Sequence, residues 1–188
     1  MTESVIIVGV GGQGLLLASK ILGRVLVGEG YDVKVSEVHG MAQRGGSVVT
    51  YVKYGAQVRS PLIERGEADY LLAFEELEAA RWLEYLKAGG KIILNANQIA
   101  PMPVITGKTG YPKGIAAALR SKGADVKELD ALNIAQSAGS PKAVNAVMIG
   151  ALAKELGVRR GAWEEAIAAL VPERFRELNL KAFSEGCK

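Results

Sequence analysis

Two clusters in the 188-residue chain hold residue types that packing alone does not require: Gly9-Val10-Gly11-Gly12-Gln13-Gly14 and His39-Gly40-Met41-Ala42-Gln43-Arg44-Gly45-Gly46. The first has the spacing G-x-G-x-x-G, in which glycines permit a tight turn, close backbone approach to a phosphate, and close packing of helix on strand. A helix starting there turns free N–H groups and the positive end of its dipole toward an anion. Gly9, Gly11, Gly12, Gln13 and Gly14 are therefore candidates for holding a ligand; the plainer alternative is a compact turn that holds nothing. In the second cluster, Arg44 can clamp a phosphate or carboxylate in bidentate fashion, and Gly45-Gly46 can turn N–H groups inward. His39, the only histidine, can donate a hydrogen bond or move a proton near neutral pH. A hydrogen-bonded loop histidine and a surface ion pair are the plainer readings of His39 and Arg44.

A nicotinamide site would want an acid at the end of the second strand to hold the ribose hydroxyls, about 20 residues past the glycines. Glu37, 23 residues past Gly14, keeps a stand-alone NAD(P)-binding Rossmann enzyme open. Against it, the His39–Gly46 loop occupies the region where an adenosine would lie, and the next element reads as a strand instead of a crossover helix. Glu75, Glu76 and Glu78 suggest paired carboxylates, but they open a helix, where acids meet the dipole favourably. Asn145, set among apolar residues, reads as a satisfied core amide or a ligand contact. Trp82, Tyr85 and Trp163 read as core or interface anchors.

The elements that must position these residues alternate between short apolar runs and helices. Strands are expected at 4–9, 32–38, 47–53, 68–74, 91–95 and 125–129, with helices at 15–27, 75–87 and 113–122. Tyr54-Gly55-Ala56 reads as a hairpin turn into 57–60, and Ala88-Gly89-Gly90 as a helix stop. A short segment at 103–106 precedes the third helix. Ser140-Pro141 supplies an N-cap and first-turn pair for a helix with Val144, Val147, Met148, Ala151 and Leu152 at helical spacing, closed by Gly157; Gly150 within it suggests a close helix contact. Helices at 163–170 and 173–185 follow, the last with Phe175, Leu178, Ala182 and Phe183 on one face. This pattern implies one α/β domain over 1–188, a Rossmann-like layered fold with a largely parallel, mixed sheet and a helical C-terminal part.

Composition narrows the function classes. With 49% hydrophobic residues the chain can bury a substantial core. Its net charge of +3, spread over 23 basic and 20 acidic residues, favours neither nucleic acid nor a membrane surface. No apolar run is long enough to span a bilayer and no leader pattern precedes the first strand, so a cytoplasmic protein is expected. One cysteine, Cys187, and one histidine leave no set for an internal disulfide, a Cys-based zinc site, a His-rich metal site or an iron–sulfur cluster.

The GVGGQG turn, the loop SEVHGMAQRGGSV at 36–48, and the stretches at 68–95, 145–157 and 174–183 resemble the gamma-type domain of the 2-oxoacid:ferredoxin oxidoreductases nearly end to end. HGMAQRGG is the specific element; G-x-G-x-x-G is common. The resemblance implies a subunit, inactive alone, of an enzyme that oxidatively decarboxylates a 2-oxoacid to the acyl-CoA, with coenzyme A as co-substrate and ferredoxin as electron acceptor. An aryl pyruvate such as indolepyruvate is the expected substrate; pyruvate, branched-chain 2-oxoacids and 2-oxoglutarate are the alternatives. Thiamine diphosphate and the iron–sulfur clusters would sit in a large partner subunit, consistent with the lack here of a GDG-then-Asn-Asn stretch. It further implies that this domain helps close the partner's site. His39 and Arg44 would then line that active site, and Gly9, Gly11, Gly12, Gln13, Gly14, Arg44, Gly45 and Gly46 would shape an adjacent anion-accepting surface. No residue is assigned as the catalyst.

Overall fold

A computed structural model describes residues 2–39 and 46–188. The strands are β1 (Thr2–Val10), β2 (Asp32–His39), β3 (Ser47–Gly55), β4 (Ala68–Ala73), β5 (Leu86–Asn95) and β6 (Asp125–Leu129). The helices are α1 (Leu15–Gly28), α2 (Glu76–Trp82), α3 (Met102–Ile105), α4 (Ile115–Ser121), α5 (Ala131–Ala138), α6 (Val144–Leu156), α7 (Arg160–Leu170) and α8 (Arg176–Gly186). The strands form one sheet in the order β2-β3-β1-β4-β5-β6. β1, β4, β5 and β6 pair parallel, while β3 pairs antiparallel with both β1 and β2, so β3 alone runs against the rest. The fold is the expected α/β layered one with a mixed, mostly parallel sheet.

β1 is apolar at successive positions because both faces of the sheet are covered. Val5 and Ile7 enter one core with α1, α5, α6, α7 and α8, and Ile6 and Val8 enter the other with α2 and α4. Along α1, Leu15, Ala18, Leu22, Val25 and Leu26 recur at helical spacing and are buried, which fixes the helix over the C-terminal end of β1. In the helical third, α6 and α8 approach so closely that a Cβ on Gly150 would lie 2.3 Å from the Phe183 carbonyl, and one on Gly186 would lie 2.1 Å from that of Val147. The last helix therefore covers this chain's own core, with Ala182 and Phe183 fully buried.

Several expectations fail for physical reasons. Residues 57–60 form no strand, because both edges of β3 are already hydrogen-bonded, to β1 and β2. The Val58 N–H donates instead to Asp32 Oδ2 at 2.8 Å. The helix expected at 75–87 ends at Trp82; Leu83–Tyr85 tighten into a 3₁₀ turn and β5 begins at Leu86. Gly89 and Gly90 do not stop a helix but let β5 kink: Gly89 has φ +75°, and the register against β4 shifts between Ala68 and Tyr70. Residues 103–106 fall in the single turn of α3, α5 had no counterpart in the pattern, and the helix at 173–185 begins as a 3₁₀ turn at Glu173–Phe175. Phe175 is exposed under the Arg174 guanidinium instead of joining the buried face.

Candidate functional site

The chain order diverges at β1, with β2 and β3 on one side and β4 onward on the other. In open α/β sheets ligands bind beyond the carboxyl ends of the strands at such a point. There lies a cleft of about 540 Å³, walled by Gly12, Gln13 and Gly14 after β1, by Asn95, Asn97 and Ile99 at and beyond the end of β5, and by Leu132, Pro141, Lys142 and Val144 from α5 and the start of α6.

Within the glycine turn the residues divide their work. A Cβ on Gly9 would meet Gln13 Oε1 at 2.6 Å and Phe74 Cβ at 2.9 Å, so this glycine serves packing. Gln13 braces the turn: its Oε1 accepts from the Val10 N–H at 2.7 Å and its Nε2 donates to the Phe74 carbonyl at 3.0 Å. Asn95 does the same from β5, donating from Nδ2 to the Phe74 carbonyl at 3.1 Å and accepting from the Ala131 N–H at 3.1 Å. The carbonyl of Phe74, just beyond β4, thus receives two carboxamides that lock three strand ends together. Gly12 and Gly14 have φ of +102° and +83°, conformations that only glycine adopts freely, and they leave the α1 N-terminus open to the cleft without a side-chain cap.

The second cluster meets the first through the backbone. The Gly11 N–H donates to the Gly46 carbonyl at 2.9 Å, so Gly46, the last residue of the second cluster, is tied to the glycine turn. His39 ends β2 opposite Val48. Arg44 and Gly45 lie outside the described residues. Glu37 pairs across from Thr50 on β3, and β3 stands between its strand and β1. In a nicotinamide site the acid-bearing strand is the direct neighbour of the glycine-turn strand. Here one inserted strand moves the acid roughly 5 Å farther away.

Glu75, Glu76 and Glu78 are 1%, 8% and 2% exposed, and their role is more specific than a dipole contact. Glu75 caps α2 by accepting from the Glu78 N–H at 2.8 Å and also accepts from the Ile99 N–H at 3.1 Å and from the Tyr111 hydroxyl. Burial, and then the bond to Glu75, push the Tyr111 phenol far above its ordinary range, so it stays a donor. Glu76 accepts from Gln98 Nε2 at 3.0 Å, while Glu78 accepts from the Ser47 hydroxyl at 2.5 Å and from Arg81 at 2.6 Å. These acids fasten the 96–111 segment and β3 to α2 beside the cleft. Trp163 is fully buried against Phe183, whereas Trp82 and Tyr85 are half-buried, tilted against each other, with Tyr51 edge-on to Trp82. Burial raises the pKa of the half-buried Cys187 thiol.

Sequence reasoning overlooked Asn97, Ile99, Leu132, Pro141, Lys142 and Val144, which complete the cleft. The only signal for them was the Ser140-Pro141 helix start, whose serine hydroxyl accepts from the Lys142 N–H at 3.2 Å. Asn145 Oδ1 accepts from the Ala146 N–H at 3.0 Å, while its Nδ2 packs over Gly14.

Comparison with known proteins follows the same lines. Residues 4–188 match the family described as pyruvate ferredoxin/flavodoxin oxidoreductase. The chain is 39% identical to the indolepyruvate oxidoreductase subunit IorB of Thermococcus kodakarensis and 40% identical to that of Pyrococcus horikoshii, in each case over 98% of this chain and 94% of the relative. Its fold is similar to that of the keto/oxoacid ferredoxin oxidoreductase gamma subunit from Geobacter sulfurreducens, with a TM-score of 0.73 and 26% identity over 98% of this chain and 95% of that one.

Proposed function

The chain belongs to the pyruvate ferredoxin/flavodoxin oxidoreductase family, and on that premise we propose that it is the non-cluster subunit of an indolepyruvate-type 2-oxoacid:ferredoxin oxidoreductase. The observation that carries this reading is the roughly 40% identity to indolepyruvate oxidoreductase subunits over nearly the whole of both chains. The complex would convert an aryl pyruvate and coenzyme A to the acyl-CoA and CO₂, passing the electrons to ferredoxin in the cytoplasm. One cysteine falls short of the four ligands that an iron–sulfur cluster takes. On this reading the clusters and thiamine diphosphate would sit in a large partner subunit, where thiamine diphosphate would supply the carbanion stabilisation that decarboxylation needs.

In this reading the chain's own residues close and charge the partner's site. Arg44 meets the carboxylate of the substrate or a phosphate of coenzyme A, and His39 donates a hydrogen bond beside it. Gly11, Gly12, Gly14, Gly45 and Gly46 let backbone N–H groups approach an anion. A closing domain adds charge complementarity and excludes water without forming the covalent bond itself. The test is reconstitution: each subunit is assayed alone and mixed for CoA-dependent dye reduction with indolepyruvate, with pyruvate, a branched-chain 2-oxoacid and 2-oxoglutarate alongside. Activity is expected only in the mixture and highest with indolepyruvate; a large subunit fully active by itself would overturn the assignment.

A further inference from the structure

We propose that the open groove between α1 and β2 is the docking site for an amphipathic helix of the large partner subunit, apolar on one face and flanked by acids. This rests on the reading of the chain as a subunit and adds where the partner grips it. Val33 and Val35 pair with Tyr54 and Val52, so their side chains lie on the sheet face that α1 covers. α1 packs on β1 and β3, and the strip over β2, at the sheet edge, is left open as a groove of about 330 Å³.

Leu16, Val27 and Val35 line this groove yet are 46%, 60% and 47% exposed. From Leu16 to Val27 it runs about 16 Å, the length of three helical turns. A helix is about 10 Å across and strands lie about 4.8 Å apart, so α1 spans two strands and a second helix fits over β2 beside it.

Gly23, in the middle of α1, is an independent sign of close approach. Glycine inside a helix is destabilising relative to alanine. At Gly150 and Gly186 this fold requires it, because a Cβ there would clash with backbone. A Cβ on Gly23 would meet only Val35 Cγ2 among the described residues, at an ordinary 3.9 Å. The chain's own packing therefore does not require this glycine, and a helix seated in the groove from outside accounts for it.

Charge selects the occupant. Lys20 and Arg24 stand exposed on the α1 wall, one turn apart, and neither has an ion-pair partner among the described residues. α1 carries no acid, so a symmetric contact of this face with a second copy would set cations against cations. Acids along the edge of a partner helix would meet them instead. Because β2 runs parallel to β1, Leu16 and Glu37 share the end of the groove that borders the glycine turn and the second cluster. The groove thus leads away from the face that the subunit reading turns toward the partner's site.

The experiment measures binding of the full chain to the large subunit of the reconstitution by isothermal titration, with hydrogen exchange on the free and bound wild type. Exchange should slow over residues 16–27 and 32–38 on binding. The double variant Lys20→Glu, Arg24→Glu should weaken the complex about tenfold or more, a loss that shrinks at high salt. Gly23→Ala should melt at the wild-type temperature or roughly 1–4 °C above it, yet bind several-fold more weakly; a glycine needed by this fold would lower the melting temperature instead. A complex that forms with groove exchange unchanged, or with unchanged affinity in either variant, would overturn the docking site and leave the subunit reading standing. A free chain that dimerises through residues 16–27 would overturn it in favour of a second copy. A wild type that does not bind the large subunit at micromolar concentration would remove both.

Discussion

The two walls of the cleft use the same residue types for opposite ends. On the strand-end wall, Gln13 and Asn95 commit every amide atom to backbone and clamp β1, β4 and β5 at the Phe74 carbonyl. Behind the helix-start wall, Asn145 leaves its Nδ2 without a hydrogen-bond partner among the described residues beside Gly14 and the uncapped start of α1, while Lys142 lines the cleft. A carboxamide near a glycine turn is thus not informative by type. What separates the two is whether the carboxamide's donors are already spent on backbone.

Stability should break the comparison most sharply. Asn95→Ala removes a 2%-exposed side chain and leaves the Ala131 N–H without its acceptor. Such a loss costs about 2–3 kcal/mol, a drop in melting temperature of roughly 5–10 °C in a calorimetric scan. Gln13→Ala strips the Val10 N–H of its acceptor while Phe74 keeps its bond to Asn95, so a smaller loss of about 1–2 kcal/mol is expected. Lys142→Ala, on the other wall, should change stability by less than about 0.5 kcal/mol. A melting loss at Lys142 equal to that at Asn95 would erase the distinction.

The smallest effect concerns pH. The bonds to Asp32 from Lys34 and from the Val58 N–H hold its carboxyl below the ordinary 3.8. A depressed carboxylate stabilises the fold above its unfolded pKa and loses that contribution as pH falls through the folded value. The tether of residues 57–60 should therefore weaken only below about pH 4. Hydrogen exchange at the Val58 amide across pH 3 to 6, corrected for intrinsic rates, should show protection lost at the acid end and constant above it.

Much of the fold was legible. β1 and α1 announced themselves because an apolar run, glycines and helical spacing follow one another without a break. Gly150 was readable as a close helix contact, and the Phe183 carbonyl indeed sits where its side chain would be. The position of β3 between β2 and β1 was not readable, because sequence order carries no spatial order; this is what misled the 57–60 hairpin and kept Glu37 in play as a ribose ligand. α5 was missed because Ala131–Ala138 runs for only eight residues, too short for a helical period to stand out from its surroundings.

The site was legible only on one side. Spacing in the glycine turn marks the mouth of α1, but Lys142 and Asn145 reach it from more than a hundred residues away, and only the Ser140-Pro141 start hinted at a helix there. No local pattern tells a spent amide from an unspent one, since partners such as the Phe74 carbonyl and the Ala131 N–H are set by the tertiary fold.

The central claim is that this chain adds charge to a partner's active site instead of only supporting it. The most direct measurement is the steady-state rate of the reconstituted two-subunit complex carrying Arg44→Ala, with co-elution of the subunits checked on the same sample. The account predicts an intact complex whose CoA-dependent turnover of indolepyruvate falls by about tenfold or more, the loss expected for one charge-assisted contact. An intact complex turning over at the wild-type rate would contradict it.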